Sequence, residues 1–180
     1  MYHDAELHSS LELVIDVTPQ TRSTSQHINN CVEFLESKQI DNESLLAFSL
    51  LISEALANAI EHGILRLSSS LKEDPCNDYG KVLWDCFDTA SGQVSLKVKL
   101  LHENGNCDLI KAISVEVTDS GSGFDWRGKM RDAAMPTPDK PSGRGLALIK
   151  MIASHVNFNE SGNTIQFIIP CLPDEKTLIT

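Results

Sequence analysis

Two alternating runs near the middle of the chain constrain its fold more than any other feature. Val94, Leu96, Val98 and Leu100 are interleaved with Ser95, Lys97 and Lys99, and Ile113, Val115 and Val117 with Ser114, Glu116 and Thr118. A period of two puts each apolar set on one face of a strand and leaves the other face wet. Residues 102–108 between them hold an Asn-Gly pair, the dipeptide that tight hairpins favour. The two runs therefore predict a hairpin with one face in need of a cover. Leu11, Leu13, Ile15 and Val17 predict a first strand, Thr164–Pro170 a last one, and residues 82–87 read as another.

The cover is legible as helices. Thr18 and Pro19 can open the first as N-cap and first helical residue. Ile28, Cys31, Val32 and Leu35, at i, i+3, i+4 and i+7, give it an apolar face to about Ser37. A second begins at Asp41 or Asn42 and runs to Gly63, a residue suited to end a helix. A third spans 146–156, with Leu146, Ile149, Ile152, Ala153 and Val156 on one face. Residues 65–80 and 119–145 read as loops from their glycine, proline and charge. Hairpin connections with segregated helices favour an α+β two-layer sandwich over a doubly wound parallel sheet. One domain over 11–170 is expected, with a flexible segment 1–10 and a tail 171–180.

Charge and cysteine usage narrow the function. With 15 basic and 25 acidic side chains the net charge is −10, which opposes non-specific grip on nucleic acid or an anionic membrane. The most apolar stretch, 45–60, is interrupted by Ser49, Ser53, Glu54 and Asn58 and reads as too short to span a bilayer. The N-terminus lacks the basic start and apolar block of a secretory signal. Cys31, Cys76, Cys86, Cys107 and Cys171 form no CxxC pair, as expected of reduced structural thiols in a cytoplasmic protein.

Three polar constellations remain, each bland when taken alone. Glu54, Asn58 and His62 fall at i, i+4 and i+8, one stripe of the second helix. That stripe is either a solvated helix edge or a carboxylate and an amide aimed into a pocket. Asp119-Ser120-Gly121-Ser122-Gly123 ends a strand with two glycines that let the backbone turn and approach a ligand. It fits neither an EF-hand loop nor a nucleophile elbow. Gly143-Arg144-Gly145-Leu146 opens a helix whose free N–H groups suit phosphate. Arg127, Lys129, Arg131, Lys140 and Arg144 make this region basic in an acidic chain, although no Walker GK[ST] follows.

In this order the three stretches resemble the N, G1 and G2 boxes of the GHKL ATP-binding superfamily. ExxxNxxxHG together with GRGLALI most resembles the anti-sigma factor serine/threonine kinases, the RsbW/SpoIIAB group. The resemblance covers most of 11–170 and is poorest over 65–108. It implies a Bergerat fold, a mixed sheet with helices on one face, and ATP and Mg²⁺ as cofactors. It implies that Asp119 accepts a hydrogen bond from the adenine amino group, with Thr164 fixing aspartate and base through water. Gly121 and Gly123 would turn beneath the nucleotide, and Asn58 would hold Mg²⁺. Gly143, Gly145 and Leu146 would cradle the phosphates, with Arg144 adding charge. Glu54 would be the catalytic base, and His62 either structural or at the phosphate end.

The function so implied is phosphorylation of a STAS-domain anti-anti-sigma protein by a homodimer that also binds a sigma factor. Residues 64–92 look like an insertion, and 125–143 like a short lid over ATP. The insertion keeps open a nucleotide-dependent binding switch without phosphoryl transfer. A detached histidine-kinase catalytic domain is a third possibility.

Overall fold

The computed structural model describes residues 10–18, 21, 23–68, 71, 78–103, 106–128 and 144–171. Five strands form one sheet in the order β1-β2-β3-β5-β4: β1 (Ser10–Val17), β2 (Gly92–Glu103), β3 (Asn106–Asp119), β4 (His155–Phe158) and β5 (Thr164–Pro170). Each neighbouring pair is antiparallel. The sheet is therefore not mixed, as the resemblance implied. β4 turns directly back into β5 through residues 159–163, and a tight hairpin connection cannot produce parallel strands.

The expected alternation sets the register. Leu13, Leu96, Val117, Ile165 and Phe158 stand opposite one another across all five strands, beside a second row of Leu11, Val98, Val115, Phe167 and Val156. Both rows lie on the covered face. Glu12, Lys97, Glu116, Gln166 and Asn157 form the row between them on the other face. There Lys97 stands 3.5 Å from Glu12, and Gln166 donates to Glu116.

The helices α1 (Ser25–Ser37), α2 (Asn42–Asn58) and α4 (Arg144–Ile152) pack their apolar side chains into the same core, and Phe87 joins them there. Of the two possible caps for α2, Asp41 takes the role. Its carboxylate accepts from the Ser44 amide at 2.8 Å and the Ser44 hydroxyl at 2.6 Å. Phe48, Leu51, Ile52, Ala55 and Leu56 are buried beneath α2. The helix continues through a π-helical turn, Ala59–Ile64, so Gly63 does not end it. Asn42–Ile64 makes 23 helical residues and holds an 18-residue window of mean hydropathy 1.4. By length and composition that is enough to cross a membrane, contrary to the expectation from residues 45–60, yet this is the helix that fills the core.

Three boundaries also differ. Residues 82–87 are helical, not extended, within α3 (Tyr79–Phe87). Asp78 caps it by accepting from the Lys81 amide at 3.1 Å. Tyr79, Val82, Leu83, Cys86 and Phe87 recur at helical spacing, which the short apolar run concealed. α1 takes Thr24 as its N-cap, not Thr18; the Thr18 hydroxyl lies 3.2 Å from that of Thr21, and Pro19 lies outside the described residues. α4 ends at Ile152, and Val156 belongs to β4.

Candidate functional site

A cleft of about 640 Å³ opens between α2, the π-helical turn, the end of β3, β5 and the start of α4. That volume lies within the ~300–1,000 Å³ usual for small-molecule sites. Glu54, Asn58, His62, Asp119, Gly123, Arg144, Gly145 and Leu146 all line it. Three stretches far apart in sequence thus share one wall-to-wall space. Gly143 and residues 129–142 lie outside the described residues.

At one end, α4 meets α2 without clearance. A Cβ built on Gly145 would collide with Glu54 Oε2 and stand 3.3 Å from its Cδ and 3.4 Å from Asn58 Nδ2. The Glu54 carboxylate and the Asn58 amide therefore flank the first turn of α4. The N–H groups of that turn have no intrahelical acceptors and carry the positive end of the helix dipole. Asn58 Nδ2 is buried with no hydrogen-bond partner. A buried unpaired amide costs about 1–3 kcal/mol, which a ligand here would recover.

At the other end stands Asp119, 8% exposed. Its Oδ1 accepts from the Gly121 amide at 2.8 Å. Burial raises its pKa, against backbone hydrogen bonds that lower it. The reason for two nearby glycines is steric. A Cβ on Gly63 would strike the Asp119 carboxylate, and one on Gly121 would strike the Gly63 carbonyl. Gly63 is thus spent on close approach to Asp119. Gly123 and Gly162 both have positive φ, 77° and 79°, where glycine alone is unstrained.

Thr164 is not brought to the cleft. It pairs with Thr118, their hydroxyls 3.0 Å apart, and Thr118 points away from the face that Asp119 shares with Val117. The residue beside the aspartate is Asn163. Its Nδ2 donates to the Asp119 carbonyl at 2.8 Å, and its own carbonyl accepts the Asp119 amide at 2.9 Å. The resemblance pointed to Thr164, one residue further along, and a step of one residue in a strand exchanges faces. His62 lines the cleft while its Nδ1 donates to the Leu67 carbonyl at 2.6 Å, so its ring is anchored by the fold. Phe124 and Phe158, in edge-to-face contact at 5.9 Å, add an aromatic wall. Sequence spacing gave no signal for these rings.

The donor set fits a nucleotide. Asp119 offers an acceptor next to the apolar Val117, Phe158 and Ile165, and the opening of α4 offers donors for phosphate. Among the described residues no three His, Cys, Asp or Glu side chains gather as a metal site. The Asn58 amide suits Mg²⁺, which commonly takes one or two protein ligands and completes its shell with phosphate and water.

The histidine kinase-like ATPase domain model matches residues 17–169. No curated protein matches the chain.

Proposed function

The chain belongs to the histidine kinase-like ATPase domain family, and we propose that its cleft is an ATP site and that it is an ATP- and Mg²⁺-dependent serine/threonine protein kinase of anti-sigma factor type. Its substrate in this reading is the serine of a STAS-domain antagonist, with a sigma factor as a second partner and a homodimer as the working form. The observation that carries the reading is Glu54, one helical turn before Asn58 and against the first turn of α4. A family member that only binds nucleotide needs no acceptor for the proton of an attacking hydroxyl; one that transfers the phosphoryl group does.

Phosphoryl transfer depends mainly on positioning and charge. Asp119 orients the base by accepting from its amino group, and its carboxylate disfavours guanine, which presents an oxygen there. The α4 N–H groups face the phosphates. Asn58 would hold Mg²⁺, which neutralises charge on the phosphates when bound. Glu54 then receives the proton of the incoming serine hydroxyl.

With radiolabelled ATP and the STAS partner, Glu54→Gln is expected to lower transfer by about 10²–10⁴-fold and leave ATP binding intact. Undiminished transfer in that variant removes Glu54 from the chemistry. ATP binding with no phosphoserine on any STAS partner favours a second reading, a nucleotide-dependent switch. One contact supports that alternative. Tyr79 of α3 donates to Glu61 Oε2 at 2.7 Å, tying the 64–92 segment to the π-helical turn beside His62 and Gly63.

A further inference from the structure

The π-helical turn closes on an arginine. The Leu65 amide bonds to the Ile60 carbonyl and the Leu67 amide to the Glu61 carbonyl, both at 2.8 Å, and the chain reverses between them with Arg66 at φ 56°. A left-handed residue after a helix is normally glycine or asparagine, because a Cβ there meets the backbone. A glycine stands three residues earlier, but Gly63 is committed to the Asp119 carboxylate. Gln39 adopts the same conformation after α1, so the strain alone identifies nothing. Arg66 differs in two respects. It lines the cleft, whereas Gln39 does not. Among the described residues, its guanidinium also has no hydrogen-bond or ion-pair partner.

The backbone at Arg66 is held firmly, while its side chain is exposed. Leu67, the next residue, is 7% exposed, and its carbonyl takes the His62 ring nitrogen. The arginine is thus bracketed by a buried leucine and by both closing hydrogen bonds of the turn. A chain of net charge −10 repels a polyphosphate from a distance, so binding one depends on cations placed at the site. Among the described residues, Arg66 and Arg144 are the lysines or arginines that line the cleft. A guanidinium on a fixed stretch of backbone and without a carboxylate partner suits phosphate oxygens, which it can take two at a time.

The geometry points to Arg66 as a nucleotide-contacting residue. It binds phosphate oxygens from the side of the π-helical turn and makes the cleft favour di- and triphosphates over the nucleoside. This rests on the nucleotide reading above, so the test separates the two. Calorimetry is run with ATP, ADP, AMP and adenosine on the full chain and on Arg66→Gly, Arg66→Gln and Arg66→Lys, with thermal unfolding of each. Arg66→Gly and Arg66→Gln are expected to weaken ATP about tenfold or more and adenosine less than about twofold. Arg66→Lys should retain part of the ATP affinity. Arg66→Gly should also unfold at a higher temperature, because it relieves the left-handed strain, which a purely structural role could not combine with weaker ATP binding. Unchanged ATP affinity, or an equal loss for adenosine, overturns the assignment. A wild type that binds none of the four ligands overturns the nucleotide reading and this one with it.

Discussion

Asp119 shares its strand face with Val115 and Val117, both buried, and the pairing of a carboxylate with that setting has a sign that can be tested. Burial raises its pKa above the ordinary aspartate value of 3.8. A folded-state pKa above the unfolded one means that folding favours the protonated form. The stability it contributes is fullest below the unfolded value and is lost as pH rises through the raised one. Asp119→Asn keeps the oxygen that accepts from Gly121 and removes the charge. The variant is expected to have a higher urea midpoint than wild type at pH 7, with the gap closing toward pH 3. The same change should weaken ATP by at least about a hundredfold, since an amide can present a donor to the adenine amino group. A variant less stable than wild type at pH 7 contradicts the sign. Nucleotide that pairs with the ionised form lowers this pKa again, so ATP binding near it should release a proton, measurable as a buffer-dependent binding enthalpy. Cys31 and Cys171, pushed up to about 11 by burial, should resist alkylation in the native state.

At the scale of elements, the helix over 42–64 carries the most. Its polar stripe of Glu54, Asn58 and His62 was legible because an i, i+4, i+8 spacing fixes a common face whatever the tertiary context. The fate of Gly63 was not legible, because only the fold brings β3 against it. Gly63→Ala is expected to cost about 1–3 kcal/mol, as small-to-large changes in packed sites do. Denaturant unfolding should show it, and a neutral result would mean that the π-helical turn can move off Asp119. β2 and β3 were legible because Val94 to Leu100 and Ile113 to Val117 hold a strict period of two. α3 was hidden because residues 82–87 are too few and too apolar for period to separate helix from strand. β4 was hidden because Val156 continues the helical spacing of α4. Tyr79→Phe removes the hydrogen bond from α3 to Glu61, at about 1 kcal/mol. Hydrogen exchange should then speed in α3 and the π-helical turn more than in the sheet; uniform protection would show that the two are not coupled.

For the molecule as a whole, the three constellations meeting in one cleft follow from a sheet that carries Asp119 to the same end as the close of α2 and the opening of α4. Mass action then links occupancy to stability. ATP with Mg²⁺ at a hundred times Kd should add about 2.7 kcal/mol to wild type. Asp119→Asn should show almost none of this gain in a thermal scan, and an equal gain in both would detach the nucleotide from Asp119. The aromatic wall has a further use. Trp126 stacks on the cleft-lining Phe158 at 5.3 Å and 14°, with Arg127 4.4 Å above its ring, whereas Trp84 is 48% exposed on α3. An occupant of the cleft thus alters the surroundings of one indole and spares the other. In a Trp84→Phe background, intrinsic fluorescence becomes a label-free gauge of saturation, and its titration curve should overlay the calorimetric one.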